Sequence, residues 1–381
     1  MRHTVARVHV DALRGNVRAI RGLLEEGALA SGRRAPGIIA VVKANAYGHG
    51  AADVARVLEA EGVAMLACAD VDEGVALREA GIGAPILVFG ALGISDLDGI
   101  FSHRLTPTIS SPWAGRALAE AAAARDTVLG CHVKIDTGMN RLGLRHDNLR
   151  RTLPDILQAP SLRVDALYTH FATADEPESE HFGVQQQHFW EAREAAAALG
   201  LRTTVAHAAN SAALLRDERV WFDFVRPGLL LYGVVPPPLS TTLALEPALS
   251  LHSRVVAVKG VRDGEAIGYG QSHRADGPRT VAVVPAGYAD GVDWRLGNRG
   301  VVLVRGRRVP IVGRVSMDML SVDVTGLDVS PGDEVVLLGR QGDERLDVRE
   351  VAATIGTIPW ELLCRLGARI EREYGNLKFD I

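Results

Sequence analysis

The chain has 381 residues, of which 47% are hydrophobic, and a formal net charge of −4 at pH 7, which allows a large core and favours two domains over one. Charged residues form no long run of one sign, and the three cysteines are far apart, so the sequence predicts neither a nucleic-acid partner nor a disulfide framework or metal site. No apolar stretch approaches membrane-spanning length and no signal peptide is recognisable, so we expect a cytoplasmic protein without membrane contact.

The N-terminal region predicts a strand and then a helix. Residues 4–10 alternate in polarity as a half-exposed strand does, and Asp11 is expected to cap a helix that continues to about Gly27. A short apolar run at 37–40 follows and is typical of a fully buried strand in a parallel sheet. A helical pattern opens again at Ala51.

A lysine follows that buried strand, within the segment VVKANAYGHG at residues 41–50. Active sites of α/β barrels are built where strands end, and the apolar neighbours of Lys43 would lower its pKa and make the neutral amine available as nucleophile or base. A lysine that only marks a solvated strand end is the alternative. The glycines and Tyr47 argue against it, because a plain turn needs no fixed tyrosine.

Apolar runs then alternate with helical stretches over about 200 residues. Strand candidates lie at residues 64–68, 86–89, 129–135, 164–168 and 203–206, with shorter ones near 106 and 224–225. Helical patterns separate them at 71–80, 112–125, 148–157 and 179–199. Eight strands alternating with helices predict an α/β fold, a (β/α)8 barrel over residues 11–240, although the count alone leaves a doubly wound sheet open.

The pattern changes after the prolines at 236–238, which suit a stiff linker. Strand-like runs follow at 249–261, 280–284, 300–304, 309–312, 319–324 and 334–338, and helical patterns return only near 348–354 and 359–366. We therefore predict a second, mainly β domain over residues 243–381. The strand at 4–10 is expected to join its sheet.

Two motifs suggest a phosphate site on the barrel. Ser211 in HAANS (207–211) offers a hydroxyl near a helix start, although an ordinary N-cap is the alternative. Gly228 in VRPGL (225–229) would let the backbone approach a phosphate closely. Both motifs follow the last two predicted strands, where barrels often bind phosphate.

The lysine segment closely resembles the cofactor-lysine motif of the alanine racemases, which bind pyridoxal 5'-phosphate, and further matches continue to about Asp318. The resemblance implies that Lys43 forms the Schiff base with this cofactor and then serves as one catalytic base. It also implies a set of cofactor-binding residues, with Tyr47, Ser211, Gly228 and Leu229 at the phosphate and Arg226 against the pyridine nitrogen.

A racemase needs proton transfer at both faces of the substrate Cα, which one base serves poorly. Tyr269 in AIGYG (266–270) resembles the family's second base, which reaches into the partner subunit's barrel, and His170 in YTHF (168–171) resembles the histidine that orients and tunes it. The remaining matches imply roles in substrate binding: Arg141 at the carboxylate and the phenolic oxygen of the cofactor, Lys134 as a lysine carbamylated in some members, and Met317 as a backbone donor to the carboxylate across the dimer.

The resemblance predicts a homodimeric pyridoxal-phosphate-dependent isomerase with shared active sites. It would interconvert L- and D-alanine by a two-base Lys/Tyr mechanism and supply D-alanine for peptidoglycan. The alternatives are a broad-specificity or serine racemase, a non-catalytic pyridoxal-phosphate-binding protein and, less well supported, a metal-dependent barrel enzyme. The sequence departs from the family pattern in two places, which bear on substrate choice more than on chemistry. Trp294 precedes Arg295 where two basic residues are usual, and Ala368 and Glu371 replace a usual tyrosine and proline near the C-terminus.

Overall fold

The computed structural model describes residues 4–91, 93, 96–203 and 205–375. Within them, eight parallel strands pair in a closed ring, in which the eighth strand returns to the first with Phe224 opposite Gly37. The barrel strands, in chain order, are Gly37–Val41, Met65–Cys68, Ile86–Val88, Thr106–Ile109, Leu129–Asp136, Leu162–Tyr168, Ala206–Asn210 and Phe224–Arg226. Closure excludes the doubly wound sheet and confirms the predicted (β/α)8 barrel.

Helices connect the barrel strands and bury one face each. In the first helix, Leu13, Val17, Ile20 and Leu24 recur at three- or four-residue spacing and are fully buried, which is the pattern of an amphipathic helix against a core. The helices of this part are Val10–Ser31, Ala51–Ala60, Val71–Glu79, Leu97–Ser102, Pro112–Ala123, Leu149–Thr152, Pro154–Gln158, His181–Ala198 and Ser211–Arg216. No helix in the described part of the chain is both long and apolar enough to cross a lipid bilayer.

The structure corrects three local predictions. The first helix begins at Val10, so Asp11 lies in its first turn and does not cap it. The predicted helix at 148–157 is divided at Pro154, whose missing N–H starts a new helix instead of continuing the old one. The strand predicted at 203–206, of which Thr204 lies outside the described residues, begins three residues later at Ala206. The small residues of the HAAN sequence therefore form the strand itself.

The rest of the chain is mainly β-structure. Its strands are Leu249–Arg254, Ala257–Val261, Ala266–Ile267, His273–Arg274, Arg279–Val284, Val301–Val304, Arg307–Pro310, Leu320–Asp323, Glu334–Gln341, Glu344–Leu346 and Glu371–Tyr374, and its helices are Val348–Ile355 and Pro359–Cys364. The single strand predicted at 249–261 is thus two strands. Residues 376–381, which the predicted second domain includes, lie outside the described residues.

The two ends of the described chain meet in one sheet. The strand Val5–Val8 pairs antiparallel with Leu249–Arg254 on one side and parallel with Glu371–Tyr374 on the other. Alternate residues of this strand are buried, as in a strand with one face on a core. The segment before the barrel is therefore held by the β-structure that follows it.

Candidate active site

A cavity of about 570 Å³ opens at the carboxyl ends of the barrel strands. Parallel strands end at the same edge of a sheet, so residues far apart in sequence meet there. Nine of the predicted site residues line the cavity, namely Lys43, Tyr47, Lys134, Arg141, His170, Ser211, Arg226, Gly228 and Leu229. The barrel therefore collects nearly all the residues predicted to bind cofactor and substrate.

Lys43 stands at the start of an unusual turn. It lies two residues beyond the first barrel strand, and the four residues after it, Ala44 to Tyr47, all have φ between 52° and 53°. This left-handed region is uncommon for residues other than glycine. Burial, followed by the nearby charge of Arg141, lowers the pKa of Lys43 below its ordinary value. The turn thus presents an amine that loses its proton more readily than a solvated lysine.

The predicted phosphate end of the cavity is closely packed. The hydroxyl of Ser211 accepts a hydrogen bond from the amide of Gly228 at 2.9 Å. A side chain at Gly228 would lie 2.4 Å from the hydroxyl oxygen of Tyr47, so glycine is required for this approach. Burial raises the pKa of Tyr47, which keeps its phenol protonated and able to donate. Asn210, not Ser211, caps the helix, so the ordinary N-cap alternative for Ser211 is wrong.

Arg226 is a buried guanidinium, 3% exposed, which forms no ion pair with a described carboxylate. Its Nη2 donates to the carbonyl oxygens of Thr169 at 2.7 Å and Ala208 at 2.9 Å, and its Nη1 lies 2.8 Å from Nδ1 of His207. Burial lowers the pKa of Arg226 to about 10, so it stays protonated at neutral pH. Its Nε has no hydrogen-bond acceptor among the described residues and remains available to a ligand.

The hydrogen bonds of Arg226 decide which ring nitrogens of the neighbouring histidines carry protons. Burial and the charge of Arg226 hold the pKa values of His170 and His207 well below 6.5, so both rings are neutral at pH 7. His207 accepts from Nη1 of Arg226 at Nδ1, at 2.8 Å, whereas Nδ1 of His170 lies 3.3 Å from Nη2, which it shares with the two carbonyl oxygens. Because a guanidinium only donates, we assign the proton of each ring to Nε2. His207 then donates to Nδ1 of His132 at 3.0 Å. His170 retains an Nε2–H donor.

Lys134 is another buried amine, 6% exposed, inside the fifth barrel strand. Burial and the positive charges of Arg141 and Arg226 lower its pKa to about 8. Its Nζ lies 5.8 Å from the centre of the Tyr168 ring. Close to neutral pH a fraction of this amine is therefore unprotonated, which is the form that reacts with carbon dioxide. Arg141 is exposed at the rim of the cavity.

The structure does not bring Tyr269 and Met317 to Lys43 within one chain. Tyr269 is 74% exposed, in the turn Tyr269–Gln271, and Met317 is 52% exposed. Tyr288 and Trp294 are exposed in the same part of the chain. Neither predicted residue lines the cavity. Of the two proton carriers predicted from the sequence, one chain therefore brings only Lys43 to its cavity.

Sequence reasoning missed several polar residues of this site. Tyr168 stacks on His207 with ring centres 4.6 Å apart and shares a hydrogen bond with Thr108 at 2.9 Å. Glu73 accepts two backbone hydrogen bonds beside Lys43. Tyr168 and His207 could have been found as polar residues within apolar strand sequences, because such side chains can point into a barrel interior. Trp360 and Cys364 complete the wall, whereas Ala368 is exposed and does not line it. The described residues contain no group of three His, Cys, Asp or Glu able to hold a metal ion.

Comparison with known proteins gives one consistent result. The model of the alanine racemase N-terminal domain matches residues 8–236, and that of the alanine racemase C-terminal domain matches residues 248–374. An alanine racemase from Carboxydothermus hydrogenoformans is 40% identical over 98% of this chain and 100% of its own, and one from Sorangium cellulosum is 40% identical over 98% and 99%.

Solved structures agree with these matches. The alanine racemase from Bacillus anthracis with bound L-Ala-P has a TM-score of 0.89 and 37% identity, covering 98% of this chain and 95% of that one. The alanine racemase from D-cycloserine-producing Streptomyces lavendulae has a TM-score of 0.93 and 33% identity, covering 98% and 97%.

Proposed function

The chain belongs to the alanine racemase family, and on this premise we propose that it interconverts L-alanine and D-alanine with pyridoxal 5'-phosphate as cofactor. The observation that carries the proposal is the cavity at the barrel edge. It combines a strand-end lysine, a buried arginine that pairs with no described carboxylate, and a glycine beside the hydroxyl groups of Tyr47 and Ser211. The full-length matches to alanine racemases support the same activity. They favour it over the alternatives of a serine racemase or a non-catalytic binding protein.

The residues present fit this cofactor. The unpaired Nε donor of Arg226 suits a pyridine nitrogen, which accepts a hydrogen bond, and the hydroxyl groups of Tyr47 and Ser211 suit a phosphate. The backbone at Gly228 and Leu229 borders that same end of the cavity. When bound, pyridoxal phosphate supplies an electron sink that makes the Cα proton of an amino acid acidic.

Arg226 limits how strongly that sink acts. A guanidinium with a pKa of about 10 donates a hydrogen bond at neutral pH but has no lone pair with which to accept a proton. The carbonyl oxygens of Thr169 and Ala208 and the ring of His207 fix its plane. Arg226 therefore holds the ring nitrogen as an acceptor, and we assign it the role of restraining side reactions at Cα.

Two proton carriers act on opposite faces of Cα in this proposal. Lys43 provides the amine, whose lowered pKa makes the neutral base accessible. Tyr269 of a second copy provides the other, as a phenolate. His170 is neutral and carries its proton on Nε2, so it is able to donate to that phenolate and stabilise it.

The substrate carboxylate needs cationic or amide donors at the cavity rim. We assign this role to Arg141, which lines the rim, and to the backbone amide of Met317 from the second copy. Carbamylation of Lys134 would convert a cation into an anion beside Arg141 and so orient the guanidinium. A homodimer with shared sites accounts for the exposure of Tyr269. The peptidoglycan role and the cytoplasmic location stay predictions from the sequence.

One experiment tests the activity directly. The purified protein loaded with pyridoxal phosphate is incubated with L-alanine, D-alanine or L-serine in D2O, and Cα deuteration and configuration are measured. We expect exchange with inversion for alanine, and loss of the visible absorption of the bound cofactor in Lys43→Ala. Cofactor binding without exchange would instead support the non-catalytic protein, and faster inversion of serine than of alanine would support a serine racemase.

A further inference from the structure

Glu73 accepts two backbone hydrogen bonds that differ from those expected at its position in a helix. It lies in the first turn of the helix Val71–Glu79, which is capped by Asp70. In a capping box, a glutamate three residues after the cap bonds to the amide of the cap residue itself. Here Oε2 accepts from the amide of Ala69 at 2.7 Å, and Oε1 accepts from the amide of Ala44 at 2.6 Å.

These two amides belong to different barrel strands. Ala44 follows the first strand and Ala69 follows the second, and the two strands are neighbours, with Val41 opposite Ala67. Both Ala44 and Ala69 line the cavity. One carboxylate therefore links the segments that follow two neighbouring strands, one of which contains Lys43. Hydrogen bonds to an ionised acceptor are roughly twice as strong as neutral ones.

The turn after Lys43 needs such an external partner. Four consecutive non-glycine residues in the left-handed region cost about 1–2 kcal/mol each, and such strain persists only where the surroundings over-determine it. Other contacts hold the far end of the turn, where Asn45 accepts from the amide of Ala51 at 2.8 Å. At the near end, adjacent to Lys43, Glu73 supplies the side-chain contact.

We propose that Glu73 is a positioning residue for Lys43, acting by accepting the amide protons of Ala44 and Ala69 together. It does not line the cavity. Its carboxylate fixes the direction in which the lysine leaves the first strand, so that the amine faces the reacting carbon. This inference rests on the proposed racemase function for its kinetic consequence, but the two hydrogen bonds are testable without any substrate.

The test compares Glu73→Gln with Asp72→Asn. Glutamine has the same shape, but its single oxygen satisfies one amide and its NH2 group opposes the other. Asp72 is an exposed acid of the same helical turn, so its variant removes one negative charge without altering the two bonds. The charge of Glu73 also raises the pKa of Lys43, so amide exchange, and not kcat alone, decides the positioning role. In hydrogen–deuterium exchange, we expect the peptide covering residues 43–50 to open about tenfold more often in Glu73→Gln and to be unchanged in Asp72→Asn.

The kinetic readout separates positioning from folding. For the pyridoxal-phosphate-loaded protein we expect Glu73→Gln to lower kcat for alanine about tenfold or more, with KM changed less than about twofold, because a misplaced base slows proton transfer more than substrate binding. The visible absorption of the bound cofactor should shift in this variant alone. Equal kcat and equal exchange in the two variants would overturn the inference.

Two further outcomes are decisive. If Glu73→Gln does not fold, hydrogen–deuterium exchange of the wild-type protein tests the inference. Exchange of the Ala44 and Ala69 amides at the rate of an unstructured peptide would overturn it. Slow exchange of both amides would support it. If the wild type racemises no amino acid, the proposed function fails, whereas the exchange difference between the variants still decides the role of Glu73 at the turn.

Discussion

A close backbone approach at the predicted phosphate end of the cavity gives the sharpest prediction, for Gly228→Ala. Gly228 has φ −116°, outside the left-handed region, and the prediction rests on the contacts of the added methyl. That carbon would lie 2.4 Å from the hydroxyl oxygen and 3.0 Å from Cζ of Tyr47. Tyr47 has little room to retreat, because Tyr232 packs on its ring with centres 5.0 Å apart. Overpacking of this kind costs about 1–3 kcal/mol in the free energy of unfolding.

The same displacement removes the phenol from the predicted phosphate position. One lost hydrogen bond to a charged group is worth about 1.5–3 kcal/mol, so the dissociation constant of pyridoxal phosphate should rise about tenfold to 100-fold. The assay is titration of cofactor-free protein with pyridoxal phosphate, alongside urea unfolding. Gly260→Ala is the matched control, since no atom lies within 4 Å of its added carbon. Equal affinity and equal stability in the two variants would refute the reasoning.

Tyr269→Phe should impair turnover of both alanine enantiomers while the cofactor stays bound. Mixing Tyr269→Phe subunits with Lys43→Ala subunits should restore one working site per heterodimer. Full turnover by Tyr269→Phe alone would remove the phenol from the mechanism. The pKa of Lys134 is lowered to about 8 from 10.5, so the unfolded chain binds more protons in this window and stability should rise with pH from about 8 to about 10.5. Lys134→Met should lack this rise in the free energy of unfolding, which amounts to at most about 3 kcal/mol. The measurement is urea unfolding of both proteins at a series of pH values, and the same pH dependence in both would contradict the prediction. Arg226→Lys should lose about 2 kcal/mol or more of unfolding free energy, because one ammonium cannot reach His207 and both carbonyl oxygens together. A calorimetric unfolding temperature equal to that of the wild type would contradict this stabilising role of the buried hydrogen bonds.

The repeating part of the fold was predictable because its signal is local. Apolar runs of four to eight residues separated by helical periodicity identify barrel strands without reference to tertiary contacts. The seventh strand was misplaced because its alanines and His207 lack the β-branched pattern of the threonines before it. Its place is set by pairing, with Tyr168 opposite His207. Tertiary pairing overrode local propensity there.

The sequence predicted many of the residues that line the site, but not the turn conformation or the hydrogen bonds that hold them. The lysine motif and the two phosphate motifs have strong sequence signals. The left-handed turn does not, since intrinsic preference opposes it at each of residues 44–47. Likewise, the partners of Arg226 come from the end of the sixth barrel strand and from the seventh, and no spacing along the chain predicts that they meet Arg226. Such contacts appear only when the barrel closes.

The last strand also reaches the lysine turn. Arg372 donates to the carbonyl oxygen of Gly48 at 2.7 Å, and the hydroxyl of Tyr374 donates to that of His49 at 3.0 Å, contacts that span 324 and 325 residues. During translation, residues 48 and 49 leave the ribosome long before these partners are synthesised. A nascent chain whose barrel has already emerged therefore lacks the final support of its own reactive lysine. Competence to bind the cofactor in its final geometry should arise only after synthesis has passed Tyr374.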